Sequence, residues 1–376
     1  MYCYSKTRIV IIGPTPPPYN GMSVVTDNLL KSDLRNHFDI ISLDTADRRG
    51  LTNVGRLDFN NIVLALKHGL QLLGILVTRH PNIVYVCIAQ NTLGYLRDSL
   101  FLVPALLTRH KVVAHLHGSD FRRFYERMSF AMKWLVRWTL SRVDKMIVLG
   151  SSLKELFKGI VPDDRIAVIS NGIKPIAYEN KEYQKHIDHK QYRILYLGTL
   201  KKNKGFIEFV KSIPIILKKV PSARFMLVGE HCYPKEMQEA DEFIRSNQLT
   251  DVIELPGVLV ENNKETMLLN ADVFVFPPIA AEGQPLVILE AMAAGLPIIA
   301  TPQGAIPDMV IDGVNGFIVP PGNPAAIAEK VILLLKDAPL RLRMGEDSHD
   351  IFLKRFTLDR WREDMKNMFF QVGGKL

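Results

Sequence analysis

The strongest constraint on the fold is a regular alternation of short apolar runs with longer helical stretches. Six runs of the first half have strand character: Arg8–Ile12, Phe38–Leu43, Ile83–Cys87, Lys111–Leu116, Lys145–Leu149 and Ile166–Ile169. The second half contains Arg193–Leu197, Arg224–Val228, Val252–Leu255, Val273–Phe276, Pro297–Ala300 and Gly316–Val319. Strands that alternate with helices form parallel sheets covered by helices on both faces. The pattern therefore predicts two tandem, doubly wound α/β domains.

A polar stretch without strand character, residues 174–191, separates the two series. We interpret it as the connection between the domains. The predicted divisions are a first Rossmann-like domain over residues 1–175, a linker over 176–191, a second Rossmann-like domain over 192–355 and a C-terminal helix over 356–376. Because open parallel sheets bind ligands at the carboxyl ends of their strands, we expect a cleft where these ends of the two sheets face each other.

The composition indicates a globular protein and excludes several classes. With 376 residues, of which 47% are apolar and 23% charged, the chain can build two large cores. Cys3, Cys87 and Cys232 lie far apart in the sequence. They predict neither a disulfide framework nor a zinc site, and they favour a reducing compartment. The apolar run Ile9–Ile12 is too short for a signal peptide.

No segment is expected to reach the length of a membrane span. The best candidate, Ile62–Val77, carries Lys67 and His68 in its middle, whereas a spanning helix needs about 20 predominantly apolar residues. We therefore expect a cytoplasmic protein, free or lying on a membrane surface.

Positive charge is concentrated in the first half. Residues 1–175 hold 23 Lys and Arg against 13 Asp and Glu, a net charge of +10. Residues 176–376 hold 24 against 26, a net charge of −2. This asymmetry favours a polyanionic partner for the first half, either nucleic acid or an anionic membrane face.

Two carboxylates frame the stretch with the most chemical information, Glu282-Gly-Gln-Pro-Leu-Val-Ile-Leu-Glu290. It follows the predicted strand Val273–Phe276, so the order is strand, loop and helix. The helix N-terminus then lies at the carboxyl edge of a parallel sheet, where free N–H groups and the helix dipole favour a phosphate. A carboxylate farther along the helix can accept two ribose hydroxyls, so we predict a nucleotide diphosphate ligand. An ordinary solvated α/β unit would show the same spacing.

A lysine-rich loop follows the first strand of the second series. Its sequence, Gly198-Thr-Leu-Lys-Lys-Asn-Lys204-Gly205, leads into a helix that begins near Phe206. Cations at this position suit a diphosphate leaving group, because they stabilise charge that grows in the transition state. The alternative is an exposed turn that happens to be rich in lysine.

Two loops of the first half carry further candidates. His115 and His117 follow the apolar run Lys111–Ala114 at the end of a predicted strand, and they lie on the same side of it, since side chains alternate. A metal pair is conceivable, but a histidine that donates a hydrogen bond to a substrate is favoured, and a buried structural histidine is the alternative. Gly21, after the first strand, can bring the backbone close to a ligand, although the Asn20-Gly21 pair alone indicates only a turn.

Residues 122–142 combine six basic residues with one acid and five aromatic residues. A basic amphipathic helix with aromatic side chains is typical of a membrane surface. The alternative is an ordinary helix whose apolar face packs on the sheet. The candidate membrane and acceptor residues are Arg122, Arg123, Arg127, Lys133, Trp134, Arg137 and Trp138.

The absence of two motifs limits the ways in which the protein can bind phosphate. The chain contains no Asp-x-Asp sequence and no G-x-x-x-x-G-K-[ST] sequence. The first absence favours lysines and a helix dipole over a metal for diphosphate binding, so no metal and no cofactor are expected. Nucleic-acid binding lacks support, because the aromatic residues cluster on one predicted helix rather than on a sheet face.

With these residues in place, the chain resembles the large retaining glycosyltransferase family four, which has the GT-B fold. The resemblance covers nearly the whole chain and is strongest from Asn270 to Pro277 and from Glu282 to Thr301. Supporting motifs are Ile169-Ser-Asn171-Gly172-Ile173, Gly198-x5-Lys204-Gly205, His115-Leu-His117-Gly118-Ser119-Asp120 and Asp312-Gly313-x-Asn315-Gly316. Each motif is weak alone, but the set is specific.

The resemblance implies a role for each matching residue. Glu290 corresponds to the carboxylate that holds the donor ribose, Glu282 to the residue near the transferred sugar, and Lys204 to the diphosphate lysine. His117 corresponds to the first-domain histidine at the donor sugar, and Gly21 to the second glycine of a Gly-Gly loop. The residues implied to present backbone to the donor are Gly283, Gln284, Pro285, Leu286, Val287 and, at the base, Val258. The C-terminal helix is implied to pack back on the first domain.

Three positions depart from the family pattern. Thr199 replaces an arginine, so one diphosphate cation is missing, and Lys201 and Lys202 are the candidate substitutes. Asn20 replaces the first glycine of its loop. Pro285 replaces a common glycine and removes one backbone N–H from the loop that faces the sugar.

The sequence therefore predicts a retaining glycosyltransferase that moves a sugar from a nucleotide diphosphate, UDP or GDP, to an acceptor in the cleft. The basic first half suggests a lipid-linked or saccharide acceptor at the inner membrane face, in surface polysaccharide biosynthesis. Alternatives are a sugar-nucleotide epimerase, a glycosyl phosphorylase and a non-catalytic protein that binds sugar nucleotides.

Overall fold

The computed structural model describes residues 6–17, 21–48, 59–176, 191–230, 234–259 and 261–374. The chain divides into two compact units. The first comprises Met1–Asn171 together with Asp359–Leu376, and the second comprises Gly172–Leu358. Most of the predicted linker, and the positions of Cys3, Asn20 and Cys232, lie outside the described residues.

The first unit is built on a six-stranded parallel sheet. Its strands are β1 Thr7–Gly13, β2 Phe38–Asp44, β3 Ile83–Ile88, β4 Lys111–Leu116, β5 Lys145–Val148 and β6 Ile166–Val168. They lie in the order β2-β1-β3-β4-β5-β6. The six predicted strands are confirmed, because continuous Val- and Ile-rich runs are what a sheet covered on both faces requires. Every residue of β3 is buried.

Helices connect these strands. They are α1 Gly21–Leu30, α2 Leu34–His37, α3 Phe59–Arg79, α4 Thr92–Leu107, α5 Phe121–Glu126 and α6 Phe130–Leu140. Right-handed crossovers place α3, α4 and α6 on the same face of the sheet, since the chain moves in one direction from β2 to β5. Consistent with this, α4 contacts both α3 and α6.

The basic segment 122–142 is not one helix, so that prediction was wrong. Ser129 has an extended backbone, and its hydroxyl accepts a hydrogen bond from the Met132 N–H at 3.4 Å. It therefore starts a second helix, because serine is a strong N-cap residue. The segment consists of α5 and α6, separated by residues 127–129.

The length expected for the most apolar segment was also wrong. Helix α3 has 21 residues, and among the described residues it alone is long and apolar enough, by length and composition, to cross a membrane. One face of α3 packs within the first unit, where His68, Gly69, Leu72 and Leu76 are buried.

The second unit has the same architecture. Its strands are β7 Tyr192–Leu197, β8 Ala223–Val228, β9 Ile253–Gly257, β10 Val273–Phe276, β11 Ile298–Ala300 and β12 Gly316–Ile318. They pair in parallel in the order β12-β11-β10-β7-β8-β9, and the six predicted strands are confirmed. Its helices are α7 Phe206–Leu217, α8 Pro234–Ser246, α9 Glu261–Leu269, α10 Leu286–Ala293, α11 Ile306–Met309, α12 Pro324–Lys336 and α13 Ala338–Arg355.

The last helix, α14 Leu358–Gly373, packs on the first sheet from residue Asp359 onward. The ring of Phe370 lies 4.8 Å from that of Phe38 on β2, and the ring of Phe369 lies 6.0 Å from that of Tyr85 on β3. An aromatic pair of this kind stabilises the fold by about 0.5–1.5 kcal/mol more than its buried area alone would. The end of the chain therefore completes the core of the unit that its beginning builds.

Candidate functional site

The principal candidate site lies at the carboxyl edge of the second sheet, between β7 and β10. The chain leaves β7 toward β8 on one side, whereas β10 pairs with β7 on the other. This makes the β7–β10 boundary the topological switch point, the usual ligand position of open parallel sheets. The loops that follow these strands lie side by side, because the N–H groups of Ile279 and Ala280 donate to the Asn203 carbonyl at 3.0 and 3.2 Å.

Glycines permit this close approach of the two loops. Gly205 has a φ of +78°, and a Cβ added there would lie 1.9 Å from the Pro277 carbonyl oxygen. Gly229, after β8, would place a Cβ 1.9 Å from the Gly198 carbonyl oxygen. Any side chain at either position would push the loop away from its neighbour. The predicted lysine-rich loop is thus held against the predicted acidic loop by backbone packing.

Lys204 and Glu282 form an ion pair where the two loops meet. The Lys204 Nζ lies 2.5 Å from Glu282 Oε1, and Glu282 is only 8% exposed. Burial raises the pKa of the Glu282 carboxyl, and the Lys204 ammonium opposes that rise. The Tyr196 hydroxyl donates to the carbonyls of Thr199 at 3.2 Å and Lys204 at 3.4 Å, which fixes the loop beneath the ammonium. Sequence reasoning identified both charged residues, but not their contact.

The acidic loop leads directly into α10. Pro285 precedes the helix, whose first turn leaves backbone N–H groups without intrahelical partners. The loop is supported from below by Gly304, where a Cβ would lie 1.5 Å from the Glu282 carbonyl oxygen. The Ala305 N–H also donates to the Gly283 carbonyl at 2.9 Å. Gln284 is buried within the same loop. The structure therefore brings Lys204, Glu282 and the N-terminus of α10 to one place.

Glu290 lies in the second turn of α10 and has its own lysine partner. The Lys264 Nζ lies 2.8 Å from Glu290 Oε1, and the Glu290 side chain is 19% exposed. Lys264 belongs to α9 and was missed by sequence reasoning, because no motif surrounds it. Each carboxylate of the predicted pair thus faces an ammonium group supplied by a different element.

Three other predicted donor-site residues lie at the same edge of the second sheet. Thr199 is half-buried in the loop after β7. Val258 follows β9 directly and is 71% exposed. Lys202, a candidate substitute for the missing arginine, directs its ammonium to Glu239 of α8 at 3.4 Å.

The two histidines of the first unit form a second polar cluster. Their rings lie 3.9 Å apart, which confirms the prediction that His115 and His117 share one side of β4. The Tyr85 hydroxyl lies 2.6 Å from His115 Nδ1, and Cys87 Sγ lies 3.6 Å from His117 Nε2. Burial lowers the pKa of His117 to about 4, so this imidazole is neutral at physiological pH. Within the described parts of the chain, no group of three or more His, Cys, Asp or Glu residues could hold a metal ion.

Gly21 is the first residue of α1, at the carboxyl end of β1. It is exposed, and a Cβ added there would meet no described atom within 4 Å. In the first sheet, the direction in which successive strands are added reverses between β1 and β3. Helix α1 therefore begins at the switch point of that sheet. Among the described residues, none lies close enough to Gly21 to require a glycine.

The basic aromatic segment forms an exposed surface of the first unit. Phe130 is 86% exposed and Trp134 60% exposed, and the rings of Trp134 and Trp138 stack at 6.4 Å. Arg122 pairs with Glu126 at 2.9 Å, and Arg123 lies 3.7 Å from Asp120. The remaining predicted residues of this surface are Arg127, Lys133 and Arg137. Aromatic and cationic groups therefore share one solvent-facing surface.

The fold and the two ion pairs define a protein of two doubly wound α/β units with a charged site at the switch point of the second sheet. The family model described as "Glycosyl transferases group 1" matches residues 178–350. A second model, "Glycosyltransferase Family 4", matches residues 19–175. The chain belongs to the group 1 glycosyltransferases of family four, and the predicted family is confirmed.

The similarity to other proteins extends over most of the chain. An uncharacterized glycosyltransferase of Methanocaldococcus jannaschii is 25% identical over 363 residues, which covers 92% of each chain. The capsular polysaccharide biosynthesis glycosyltransferase CapM of Staphylococcus aureus is 29% identical over 237 residues, 60% of each chain. The crystal structure of Anabaena HepE in complex with UDP-glucose has a TM-score of 0.72 at 17% identity, over 97% of this chain and 99% of its own. The predicted GT-B fold is confirmed.

Proposed function

We propose that this protein is a retaining hexosyltransferase that moves a sugar from a UDP- or GDP-sugar to a lipid-linked glycan in surface polysaccharide biosynthesis. The observation that carries the proposal is the arrangement at the second switch point. There, two carboxylates flank a helix N-terminus, and each carboxylate is paired with a lysine. The S. aureus relative CapM, a capsular polysaccharide biosynthesis glycosyltransferase, supports the pathway, and the UDP-glucose bound to the Anabaena structure supports the donor class.

The donor is proposed to bind to the charged groups that the two ion pairs hold in place. Glu290 accepts the two ribose hydroxyls, and the Lys264 ammonium balances the negative charge of this carboxylate. Lys204 and the N–H groups at the start of α10 bind the diphosphate, because both present positive charge at one place. The proposed donor residues of the second unit are Thr199, Lys204, Val258, Glu282, Gly283, Gln284, Pro285, Leu286, Val287 and Glu290.

The proposed reaction takes place on one face of the sugar. The bond between C1 and the diphosphate oxygen breaks, and its electron pair leaves with the diphosphate. The acceptor oxygen forms its bond to C1 from the same face, and its proton passes to an oxygen of the departing phosphate. Lys204 and the N-terminus of α10 stabilise the charge that grows on this phosphate. These groups supply the required positive charge, so the proposal includes no metal and no cofactor.

Glu282 and His117 are proposed to contact the transferred sugar. Glu282 keeps one carboxylate oxygen on Lys204, and it belongs to the loop between β10 and α10. His117, held neutral by burial, can donate a hydrogen bond without adding charge. Gly21 is proposed to bring backbone close to the donor or acceptor.

The acceptor is proposed to be presented by an anionic membrane. The first half of the chain carries a net charge of +10, and its exposed aromatic and basic side chains suit the headgroup region. We therefore propose a cytoplasmic protein bound peripherally to the inner face of the cell membrane.

The decisive test is a nucleotide-release assay with UDP-, GDP- and ADP-sugars, with and without a membrane lipid extract. Release of one nucleotide that depends on the extract supports transfer to a membrane acceptor, and it identifies the base. Conversion of the sugar nucleotide without release would instead establish an epimerase. Tight nucleotide binding without any turnover, even with the extract, would contradict the transferase proposal and favour a non-catalytic binding protein.

A further inference from the structure

Helix α3 of the first unit presents an apolar stripe to solvent. Seven of its side chains lie along one side of the helix, because each has a partner three or four positions away. Their exposed fractions range from 43% to 78%. The residues of this α3 stripe are Phe59, Ile62, Val63, Leu66, Leu70, Leu73 and Val77. The buried side chains of α3 occupy a different face, so the stripe is not part of the core.

The stripe is too large to be incidental. Single exposed apolar side chains are normal, but a contiguous exposed patch marks an interaction surface. At 1.5 Å per residue, the 21 residues of α3 make a rod about 31 Å long. A helix of this length with one apolar side can lie flat in the headgroup region, with that side about 5–10 Å deep.

Neighbouring helices continue the surface. Helices α3, α4 and α6 lie on one face of the first sheet, with α4 between the other two. Helix α4 exposes Leu96 at 46% and Leu107 at 67%, and α6 exposes Phe130 and Trp134. The apolar surface therefore extends from α3 across α4 to the aromatic residues of α6.

The charge of this surface indicates which kind of partner can bind it. All residues of these three helices are described. Asp98 is the single acidic residue among them. Its side chain is 1% exposed and paired with Arg97 at 2.7 Å. The basic residues of the same helices are Lys67, Arg79, Arg97, Lys133 and Arg137. A second copy of the chain would bring two positive faces together, without the opposite charges that flank paired helices. An anionic bilayer offers both apolar depth and complementary charge.

We propose that the α3 stripe inserts into the surface of an anionic lipid bilayer and is the main apolar anchor of this protein. This inference deepens the membrane contact under the proposed function, and rests on it, by adding an element outside the basic aromatic segment. The stripe would insert into the apolar part of the bilayer, whereas the cations of α5 and α6 would attract anionic headgroups over a longer range. Binding is therefore expected to survive partly in high salt.

The test compares three forms of the full-length protein in sedimentation with phosphatidylcholine vesicles, with and without phosphatidylglycerol. The stripe variant carries Leu66→Ser, Leu70→Ser and Leu73→Ser. The matched control carries Ile215→Ser, Leu333→Ser and Leu353→Ser, which change exposed apolar residues of the second unit. We expect the stripe variant to lose about tenfold or more of its partitioning into anionic vesicles, because each removed side chain withdraws apolar area from the lipid. The control should bind like the wild type.

Salt and oligomeric state separate the remaining outcomes. Wild-type binding that persists in part at about 0.5 M salt, where the Debye length is only a few ångströms, supports apolar insertion. Equal binding of the stripe variant and the wild type would overturn the inference but leave the cationic contact standing. If the wild type binds no vesicles, both membrane proposals fail, and the nucleotide-release assay still decides the transfer reaction. A wild-type dimer that the stripe variant converts to a monomer would also overturn the inference, since the stripe would then join two copies. An unchanged circular dichroism spectrum and an unchanged urea unfolding midpoint of the stripe variant verify its folding.

Discussion

The ammonium group of Lys204 lies 2.5 Å from a carboxylate oxygen of Glu282, although the two residues are 78 positions apart. This contact joins the loop after β7 to the loop after β10. It places a cation beside the N-terminus of α10 and leaves that cation 30% exposed. In the proposed reaction, the same ammonium stabilises the departing diphosphate.

Removing this cation should impair the chemical step. We expect Lys204→Ala to lower kcat by about 10²–10³-fold, the usual effect of losing one preorganised group that stabilises developing charge. The Glu282 pKa should rise further, because the opposing ammonium is gone. The measurement is nucleotide release under saturating donor. Lys211→Ala is the control, since the Lys211 ammonium pairs with Glu239 at 3.0 Å. Equal kcat values for both variants would rule out the proposed role of Lys204.

Removing the second carboxylate should weaken donor binding. We expect Glu290→Ala to cost about 1.5–3 kcal/mol in donor affinity, as for hydrogen bonds to a charged group. Titration calorimetry with the nucleotide identified by the release assay measures this loss. Glu265→Ala, an exposed acid beside Lys264 on α9, is the matched control. If Glu290→Ala binds the nucleotide as tightly as that control, the ribose assignment is wrong.

The close approach of the two loops should depend on Gly205. Gly205→Ala and Gly313→Ala both place alanine at a positive φ, +78° and +76°. The second position has open space, whereas the first would put its Cβ 1.9 Å from the Pro277 carbonyl oxygen. We expect both variants to lose about 1 kcal/mol to backbone strain. Gly205→Ala should lose about 1–3 kcal/mol more through overpacking. Urea unfolding of both variants gives the difference, and similar losses would mean that the loops can separate freely.

The lowered pKa of His117 should make stability depend on pH. An unfolded histidine takes up a proton below a pH of about 6.5, whereas the folded pKa of His117 is about 4. Stability is therefore lost as pH falls from about 6.5 to about 4, by up to about 3 kcal/mol. His117→Asn should reduce this loss, whereas His80→Asn, at an exposed position, should not. The measurement is the free energy of unfolding in urea at several pH values. Identical acid profiles for His117→Asn and the wild type would contradict the prediction.

The cations of the basic aromatic segment should strengthen attachment to anionic membranes. We expect their joint replacement by Gln to weaken binding to phosphatidylglycerol vesicles by about tenfold or more at low salt, since each exposed cation near the surface adds about 1 kcal/mol. The replaced residues are Arg122, Arg123, Arg127, Lys133 and Arg137. The control replaces five exposed cations of the second unit: Lys218, Lys219, Lys235, Arg245 and Lys336. Equal loss in both variants would indicate a response to net charge rather than a defined surface.

Local patterns in the sequence determined the elements of this fold. The twelve strands within the described residues were predictable, and the central ones most clearly, because runs such as Ile83–Cys87 are apolar at consecutive positions, as a sheet buried on both faces requires. The order of strand, loop and helix around Glu282 and Glu290 was equally visible, since it depends on neighbours in the sequence. The helix break at Ser129 also had a local signal, a strong N-cap residue, that the basic and aromatic pattern concealed.

Tertiary structure alone decided which residues meet and which faces remain in solvent. Lys264 of α9 reaches Glu290 of α10 only through the tertiary fold, since no local spacing encodes a contact between different elements. The apolar residues of α3 predicted a helix, but not which of its sides the sheet would cover. Periodicity reports the angle between side chains on one helix, whereas burial depends on the elements packed around it. For that reason the sequence by itself determined the strands and the charged residues, and packing decided the two ion pairs and the exposed stripe.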